Sequence, residues 1–207
     1  MTQLLLDILD QDVILAADRF QLIGGGPVVT ADRNARKLVS NTHLLIAVQG
    51  DWPIAAPTTQ PDVWLADWLS RNTRMNHASD AALKLRTDLE ALHPPSNVTG
   101  GVILVASCSG GQPEAMEISG GSKSAVDHML GLRTPSRLQS PSGDPVARGI
   151  FGSWQTLVAR VGLATLPNRD DVAARKRFLA DAIAECEKAG VNGILGPAMV
   201  ESRPVTH

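Results

Sequence analysis

The chain has 207 residues, and its 19 Lys plus Arg nearly balance its 21 Asp plus Glu, for a formal net charge of −2 at pH 7. This balance argues against binding to nucleic acid or to an acidic membrane surface, because both partners select a basic excess. Hydrophobic residues make up 43% and aromatic residues 3%, with no Tyr. We therefore expect one domain, spanning 1–207, with an aliphatic core and no aromatic platform for bases or sugars.

The cysteines and the first twenty residues indicate in which cellular compartment the protein is expected. Cys108 and Cys186 lie far apart in the sequence, and the five histidines show no paired metal spacing. A disulfide framework or a zinc site is therefore not expected, and a reducing cytoplasm is favoured. The first twenty residues carry Asp7, Asp10 and Asp12 instead of the basic segment of a secretory signal. No stretch approaches the roughly 20 apolar residues of a membrane helix, so we predict a cytoplasmic protein with no membrane partner.

Short apolar runs bounded by turn residues predict strands. These runs lie at 3–9, 13–17, 44–48, 102–106, 114–118 and 194–200. The turn residues 10–12 and Gly110-Gly111 predict that the first two and the fourth and fifth strands form antiparallel hairpins. Gly24-Gly25-Gly26 lacks the Lys and Ser or Thr of a phosphate-binding loop and indicates a hairpin loop instead. The stretch 119–148, rich in Ser, Gly, Pro and Arg, predicts a long surface excursion, with a short helix at 125–130 as its one candidate element.

Apolar residues at helical spacing predict four helices. They are expected from residue 62 onwards, over 80–92, over 153–161 and over 170–189. Ser79 and Asn168 are the predicted N-caps of the second and fourth helices, and Gly190 is predicted to end the fourth. Trp64 and Trp68 lie four residues apart, so we expect them to anchor the first helix in a core or at a subunit interface. Helix pairs that alternate with hairpins indicate layers packed around antiparallel sheets.

Thr2 is the residue most informative about function. Removal of Met1, which a small second side chain permits, would leave an α-amine and a hydroxyl on the same residue. An α-amine has a pKa of roughly 8, so it is partly neutral at physiological pH and can accept the hydroxyl proton directly or through a water. Nucleophile and base would then occupy one residue. Many chains begin Met-Thr without catalytic meaning, so the hypothesis depends on the residues that follow.

An ordered set of residues follows Thr2. Asp18 closes an apolar strand sixteen positions after Thr2, Lys37 precedes a further apolar strand, and Gly50 follows that strand. The set resembles the proteasome β-subunit and HslV group of N-terminal nucleophile hydrolases. The resemblance implies an α+β fold, a four-layer αββα sandwich with two antiparallel sheets between helix pairs, assembled into a homo-oligomeric ring. It covers nearly the whole chain in element order, although the specific motifs come from residues 2–50.

The resemblance also implies a catalytic set of Thr2, Asp18, Lys37, Gly50 and Ser153. Thr2 would attack a peptide carbonyl, while the Lys37 ammonium disfavours protonation of the α-amine and stabilises developing negative charge. Asp18 would orient Lys37, and the backbone N–H of Gly50 would donate to the oxyanion. Ser153 matches a serine that opens the third helix of the family. The implied reaction is hydrolysis of peptides or unfolded proteins with no metal or organic cofactor, and no sequence feature identifies a regulatory ATPase.

Some features depart from the family pattern. The loop after Asp18 is longer than usual, so the cation is Lys37 or, counting back from Gly50, Arg36. Lysine suits the role better, because a guanidinium is bulkier and stays charged. The family's late acid is missing, and Asn192 stands where a serine is usual. Two alternatives therefore remain: a catalytically inactive assembly protein of the same fold, and a small-molecule amidase with the same nucleophile.

The peptidase hypothesis makes one geometric demand. The Lys37 ammonium must lie within several ångströms of the Thr2 hydroxyl, near Asp18. Opposite faces of a sheet would refute it.

Overall fold

The computed structural model describes most of the chain. The described residues are 2–19, 21–23, 30–32, 36–49, 61–92, 101–122, 130–132, 134–139, 143–149, 151–189 and 198–205. Their strands are β1 (Gln3–Ile8), β2 (Asp12–Ala17), β3 (Gln21–Ile23), β4 (Thr30–Asp32), β5 (Leu38–Ser40), β6 (Leu44–Gln49), β7 (Val102–Ser109), β8 (Gln112–Ser122), β9 (Leu130–Leu132), β10 (Ser136–Arg137), β11 (Val146–Gly149) and β12 (Met199–Pro204). Their helices are α1 (Pro61–Arg71), α2 (Ala78–Leu92), α3 (Trp154–Val161) and α4 (Val172–Lys188).

Most of the strands form two antiparallel sheets. The first sheet has the strand order β11-β1-β2-β12, and the second has the order β10-β8-β7-β6-β5, with β9 also paired to β8. β3 and β4 pair with each other as a separate hairpin. In the β1–β2 hairpin, Leu4 pairs with Ala17 and Ile8 with Val13. Both predicted hairpins and the antiparallel arrangement are therefore confirmed.

Each sheet packs on both of its faces, because successive strand side chains point to opposite sides. In β1, Leu4 points into the space between the sheets, where it meets Leu104 of the second sheet. Leu5 points the other way and packs with Leu179 of α4 and with α3. A third core joins the outer face of the second sheet to α1 and α2. The layers thus run helix pair, sheet, sheet, helix pair, which confirms the predicted four-layer αββα sandwich.

Polar contacts tie one sheet to the other at their edges. Arg148 of β11 donates to a carboxylate oxygen of Glu117 of β8 at 2.6 Å. At the other edge, the Arg203 Nε of β12 donates to the carbonyl oxygen of Asn41, beside β5, at 2.8 Å. These contacts fix the position of one sheet relative to the other.

Trp64 and Trp68 anchor α1 in a core, as predicted. Trp68 is 1% exposed, and Trp64 packs partly buried against the same cluster. The indole N–H of Trp68 donates to Asp88 of α2 at 2.7 Å, and Lys84 donates to the same carboxylate. The tryptophans therefore join the two outer helices to each other and to the second sheet.

The four predicted helices are present, but two predicted N-caps are wrong. α2 begins one residue before Ser79, and the sheet satisfies its first N–H groups: Ser107 Oγ accepts from the first residue of the helix, and a Glu114 oxygen accepts from Ser79 N. In α4 the N-cap is Asp171 and not Asn168, because the Asp171 side chain accepts from the backbone N–H three residues on. The predicted helix end at Gly190 lies outside the described residues.

The prediction of one long surface excursion over 119–148 is wrong for the part described. β8 continues through the start of this stretch, β9 and β10 lie within it, β11 begins in it, and all of them pair in the sheets. Val146 and Ala147 are buried, so part of the stretch belongs to the core. Of the candidate helix at 125–130, only Leu130 is described, and it begins a strand.

Two further predictions lie partly or wholly outside the described residues. The Gly24-Gly25-Gly26 loop is not described. The final strand, predicted over 194–200, is described from residue 198 onwards, and there it begins at Met199 and runs on to Pro204.

Candidate active site

Thr2 and Asp18 lie at the same end of the β1–β2 hairpin. The Gln3 N–H donates to Asp18 Oδ1 at 2.9 Å, and the Asp18 N–H donates to the Gln3 carbonyl oxygen at 3.3 Å. These bonds continue the hairpin register by one residue, so the backbone of β1 fixes the carboxylate. Asp18 is fully buried and Thr2 is 6% exposed. The hairpin alone thus brings together two residues that are sixteen positions apart.

Lys37 reaches this point from the second sheet. It lies directly before β5, and its carbonyl oxygen accepts from Val48 N at 2.9 Å. Its Nζ donates to Thr2 Oγ1 at 2.6 Å and to the two Asp18 carboxylate oxygens at 3.1 and 3.0 Å. The ammonium therefore lies between the hydroxyl and the carboxylate, within the distance that the sequence-based hypothesis demands.

The electrostatics of Lys37 are set by burial. Its side chain is 7% exposed, and loss of hydration lowers the pKa of the Lys37 ammonium below its usual value. The charge of Asp18 and the hydrogen bonds with it raise the pKa of Lys37 and offset part of this lowering. Such a group stabilises negative charge on the adjacent oxygen and gives up its proton more readily than a surface lysine does.

The structure separates the two candidate cations. Lys37 contacts Thr2, whereas Arg36 is exposed and lines a groove with Arg19. Lys37, the residue favoured on chemical grounds, is thus the one beside the hydroxyl.

Gly149, which sequence reasoning missed, lies directly against Thr2. It ends β11 with a φ of +140°, and a Cβ at this position would lie 3.0 Å from the Gln3 Cα and closer still to the Thr2 carbonyl oxygen. A side chain does not fit there, so glycine is needed for the close approach of the two backbones. The available signal was a glycine at the end of a strand, which marks such an approach. It was missed because β11 itself was not predicted.

Ser153 opens α3, where its side chain contacts Thr156. Its Oγ accepts from the Thr156 N–H at 3.2 Å and lies 2.9 Å from Thr156 Oγ1. The residue is exposed, and within the described part of the chain its hydroxyl makes no hydrogen bond to Thr2. Ser153 acts here as an N-cap, and its catalytic role stays a prediction. Gly50 and Asn192 lie outside the described residues, so the oxyanion role of Gly50 also stays a prediction.

The two cysteines are free and buried in separate cores. Burial raises the pKa of Cys108 to about 12 and that of Cys186 to about 11, so neither is a ready thiolate. In the described stretches, no three His, Cys, Asp or Glu side chains are grouped as metal ligands would be. Among the helices of those stretches, none is both long and apolar enough to cross a membrane.

Comparison with known proteins adds no relative: no protein-family model matches the chain, and no curated protein matches it significantly. The site is therefore interpreted from its own geometry.

Proposed function

We propose that the chain is a threonine peptidase of the proteasome-like N-terminal nucleophile class, with Thr2 as the nucleophile after removal of Met1. The observation that carries the proposal is the 2.6 Å contact between Lys37 Nζ and Thr2 Oγ1, with the ammonium also bonded to buried Asp18. A hydroxyl held against a buried cation at the start of the chain is suited to nucleophilic attack. Hydrolysis of a peptide bond is the reaction that this arrangement supports best.

The chemistry runs in two halves. Thr2 Oγ attacks the peptide carbonyl carbon, and its proton passes to the α-amine of the same residue, directly or through a water. The Lys37 ammonium stabilises the negative charge that develops on Oγ, and Asp18 holds the ammonium in place. The peptide C–N bond then breaks, the leaving amine takes the proton, and water hydrolyses the resulting ester. In this scheme the Gly50 N–H serves the oxyanion, where loss of one donor typically costs about 3–4 kcal/mol of barrier.

Removal of Met1 is needed because it creates the base. With Met1 attached, the Thr2 nitrogen is an amide and has no lone pair available as a base. Excision turns this nitrogen into an amine, which can accept the hydroxyl proton.

The proposal extends to the setting of the enzyme. By resemblance to the same family, the chain would form a homo-oligomeric ring in the cytoplasm and act on peptides or unfolded proteins.

A second candidate is an inactive assembly protein that keeps the fold. Ser153 favours this alternative, because among the described residues its hydroxyl caps α3 and makes no hydrogen bond to Thr2. The pair of Lys37 with Asp18 would then serve only to hold the two sheets together.

Intact mass of the purified protein is the first test. Retention of Met1 on the whole population would overturn the peptidase proposal, because the base would not exist. If Met1 is absent, a hydroxyl-directed electrophile should label Thr2 of the processed chain, and Thr2→Ala should abolish both labelling and peptide cleavage. Lys84→Ala is the control, since Lys84 also forms an ion pair but lies on α2. A processed chain that is neither labelled nor able to cleave peptides would favour the assembly protein.

A further inference from the structure

A groove lies next to the Thr2 site. It is lined by Arg19, Arg36 and the residues 198–201 at the start of β12. Arg19 directly follows Asp18, and Arg36 directly precedes Lys37. Each arginine is therefore one residue away from a member of the buried ion pair.

The hairpin register connects this groove to the nucleophile. Leu4 pairs with Ala17, and the mutual bonds of Gln3 and Asp18 continue the same pairing. Arg19 directly follows Asp18 at this end of β2. The groove and the Thr2 hydroxyl thus lie at the same end of the first sheet.

The charge of the groove is not balanced from within the described part of the chain. Neither Arg19 nor Arg36 has an ion pair or a side-chain hydrogen bond there, and the Nε of Arg19 is buried without an acceptor. Glu201, the acid that lines the groove, is engaged elsewhere: Ser40 Oγ donates to its carboxylate, and Arg203 Nη2 lies 3.4 Å from the same oxygen. Among the described residues, the two guanidinium groups thus form no ion pair, and Glu201 is the acid that lines their groove.

We infer that this groove binds a carboxylate of the substrate, which makes the preferred substrates acidic peptides. The inference rests on the proposed peptidase function. A guanidinium presents parallel N–H donors that match the two oxygens of a carboxylate, so a pair of arginines selects this group over a neutral amide of the same shape. The same groove would disfavour a lysine or arginine side chain of the substrate by like-charge repulsion.

Turnover of matched peptides by the processed protein is the first measurement. Three peptides with blocked ends and the same reporter carry Glu, Gln or Lys beside the scissile bond. The wild type should cleave the Glu peptide with a kcat/KM at least about tenfold above that of the Gln peptide, because hydrogen bonds to a charged group are stronger than those to a neutral amide. Arg19→Gln and Arg36→Gln should each reduce this ratio, and the double variant should bring it close to one. Arg71→Gln, which removes an arginine from the exposed face of α1, should leave the ratio unchanged.

A charge reversal distinguishes a change in substrate preference from a loss of activity caused by poor folding. Arg36 is exposed, so Arg36→Glu is compatible with the fold and should move the preference from the Glu peptide to the Lys peptide. An unchanged preference for the Glu peptide would overturn the inference.

Binding to the Thr2→Ala protein separates this inference from the proposed function, because it needs no turnover. The same peptides with a fluorescent label, and a neutral peptide with a free C-terminus, are titrated by anisotropy. Tighter binding of the Glu peptide, lost in the Arg19→Gln, Arg36→Gln background, supports a side-chain carboxylate. Tighter binding of the free C-terminus alone supports the terminal carboxylate instead. If the protein binds the carboxylate peptides but the processed wild type never cleaves them, the carboxylate site is supported and the peptidase proposal is refuted. If Glu and Gln peptides are cleaved at equal rates and bound equally, the carboxylate site is refuted and the peptidase proposal is supported.

Discussion

Replacement of Lys37 by Met removes the ammonium and keeps an unbranched side chain of similar reach. Fully buried Asp18 would then lose the charge of Lys37, although the Gln3 N–H would still donate to it at 2.9 Å. Breaking a buried ion pair from one side costs about 3–5 kcal/mol. We expect a loss at the lower end, about 3 kcal/mol, because Asp18 keeps a backbone donor. Burial also lowers the pKa of Lys37, so the charged ammonium is itself costly to bury. For a chain of this size the loss corresponds to a fall in Tm of about 6–12 °C.

The fold offers a matched control at a second buried pair. Arg175 of α4 contacts Asp7 of β1 at 3.2 Å, with side chains 4% and 0% exposed, in the layer opposite the sheet interface. Arg175→Met should therefore destabilise the protein by an amount similar to Lys37→Met. Under the proposed function, only Lys37→Met should also abolish electrophile labelling of Thr2 and peptide cleavage in the processed chain.

The assays are urea unfolding followed by circular dichroism, and labelling at a temperature where both variants are folded. A loss below about 1 kcal/mol for Lys37→Met would refute the buried pair with Asp18, since that is the range of exposed pairs. Equal loss of labelling in Arg175→Met would refute the catalytic contact, because destabilisation alone would then explain the result.

Three further outcomes are expected. Gly149→Ala should destabilise the fold by more than the about 1–3 kcal/mol expected for Gly152→Ala. Both glycines have a positive φ, but only at Gly149 would a Cβ meet neighbouring backbone, so equal losses in urea unfolding would contradict the close approach. Burial raises the pKa of Asp12 above 3.8, so its contribution to stability is fully present below that pH and is lost as the pH rises through the folded-state pKa. Relative to the wild type, Asp12→Asn should therefore be less stable near about pH 3 than near about pH 7, and the opposite trend in unfolding free energies would refute the raised pKa. The pKa values of about 12 for Cys108 and about 11 for Cys186 predict that iodoacetamide alkylates them at pH 8 only after unfolding, and rapid alkylation of the native chain in a mass spectrum would be inconsistent with their burial.

The layered architecture could be predicted because its signals are local. The β1–β2 hairpin has apolar runs of strand length with turn residues between them, and the helices have regular apolar spacing. The meeting of Thr2 with Asp18 follows from that hairpin, because antiparallel pairing returns the second strand to the start of the first. Contact with Lys37 required a relation between two sheets, for which the order of residues along the family pattern was the only guide.

The features that were missed depend on partners distant in the sequence. β9, β10 and β11 contain two to four residues each, too few to show an apolar period, and they are stabilised by pairing with β8 and β1. The start of α2 is set by Ser107 and Glu114 of the second sheet, which no local capping pattern around Ser79 could reveal. The close approach of Gly149 to β1 was hidden for the same reason, since it depends on the pairing of β11.

The hydroxyl of Thr2 comes from one sheet and the cation that faces it comes from the other. Under the proposed function, a newly made chain whose halves have not yet docked carries an inert threonine, even after its first residue has been cut away. Reactivity would then arrive together with the finished fold, and a half-folded copy would pose no proteolytic hazard to the polypeptides around it.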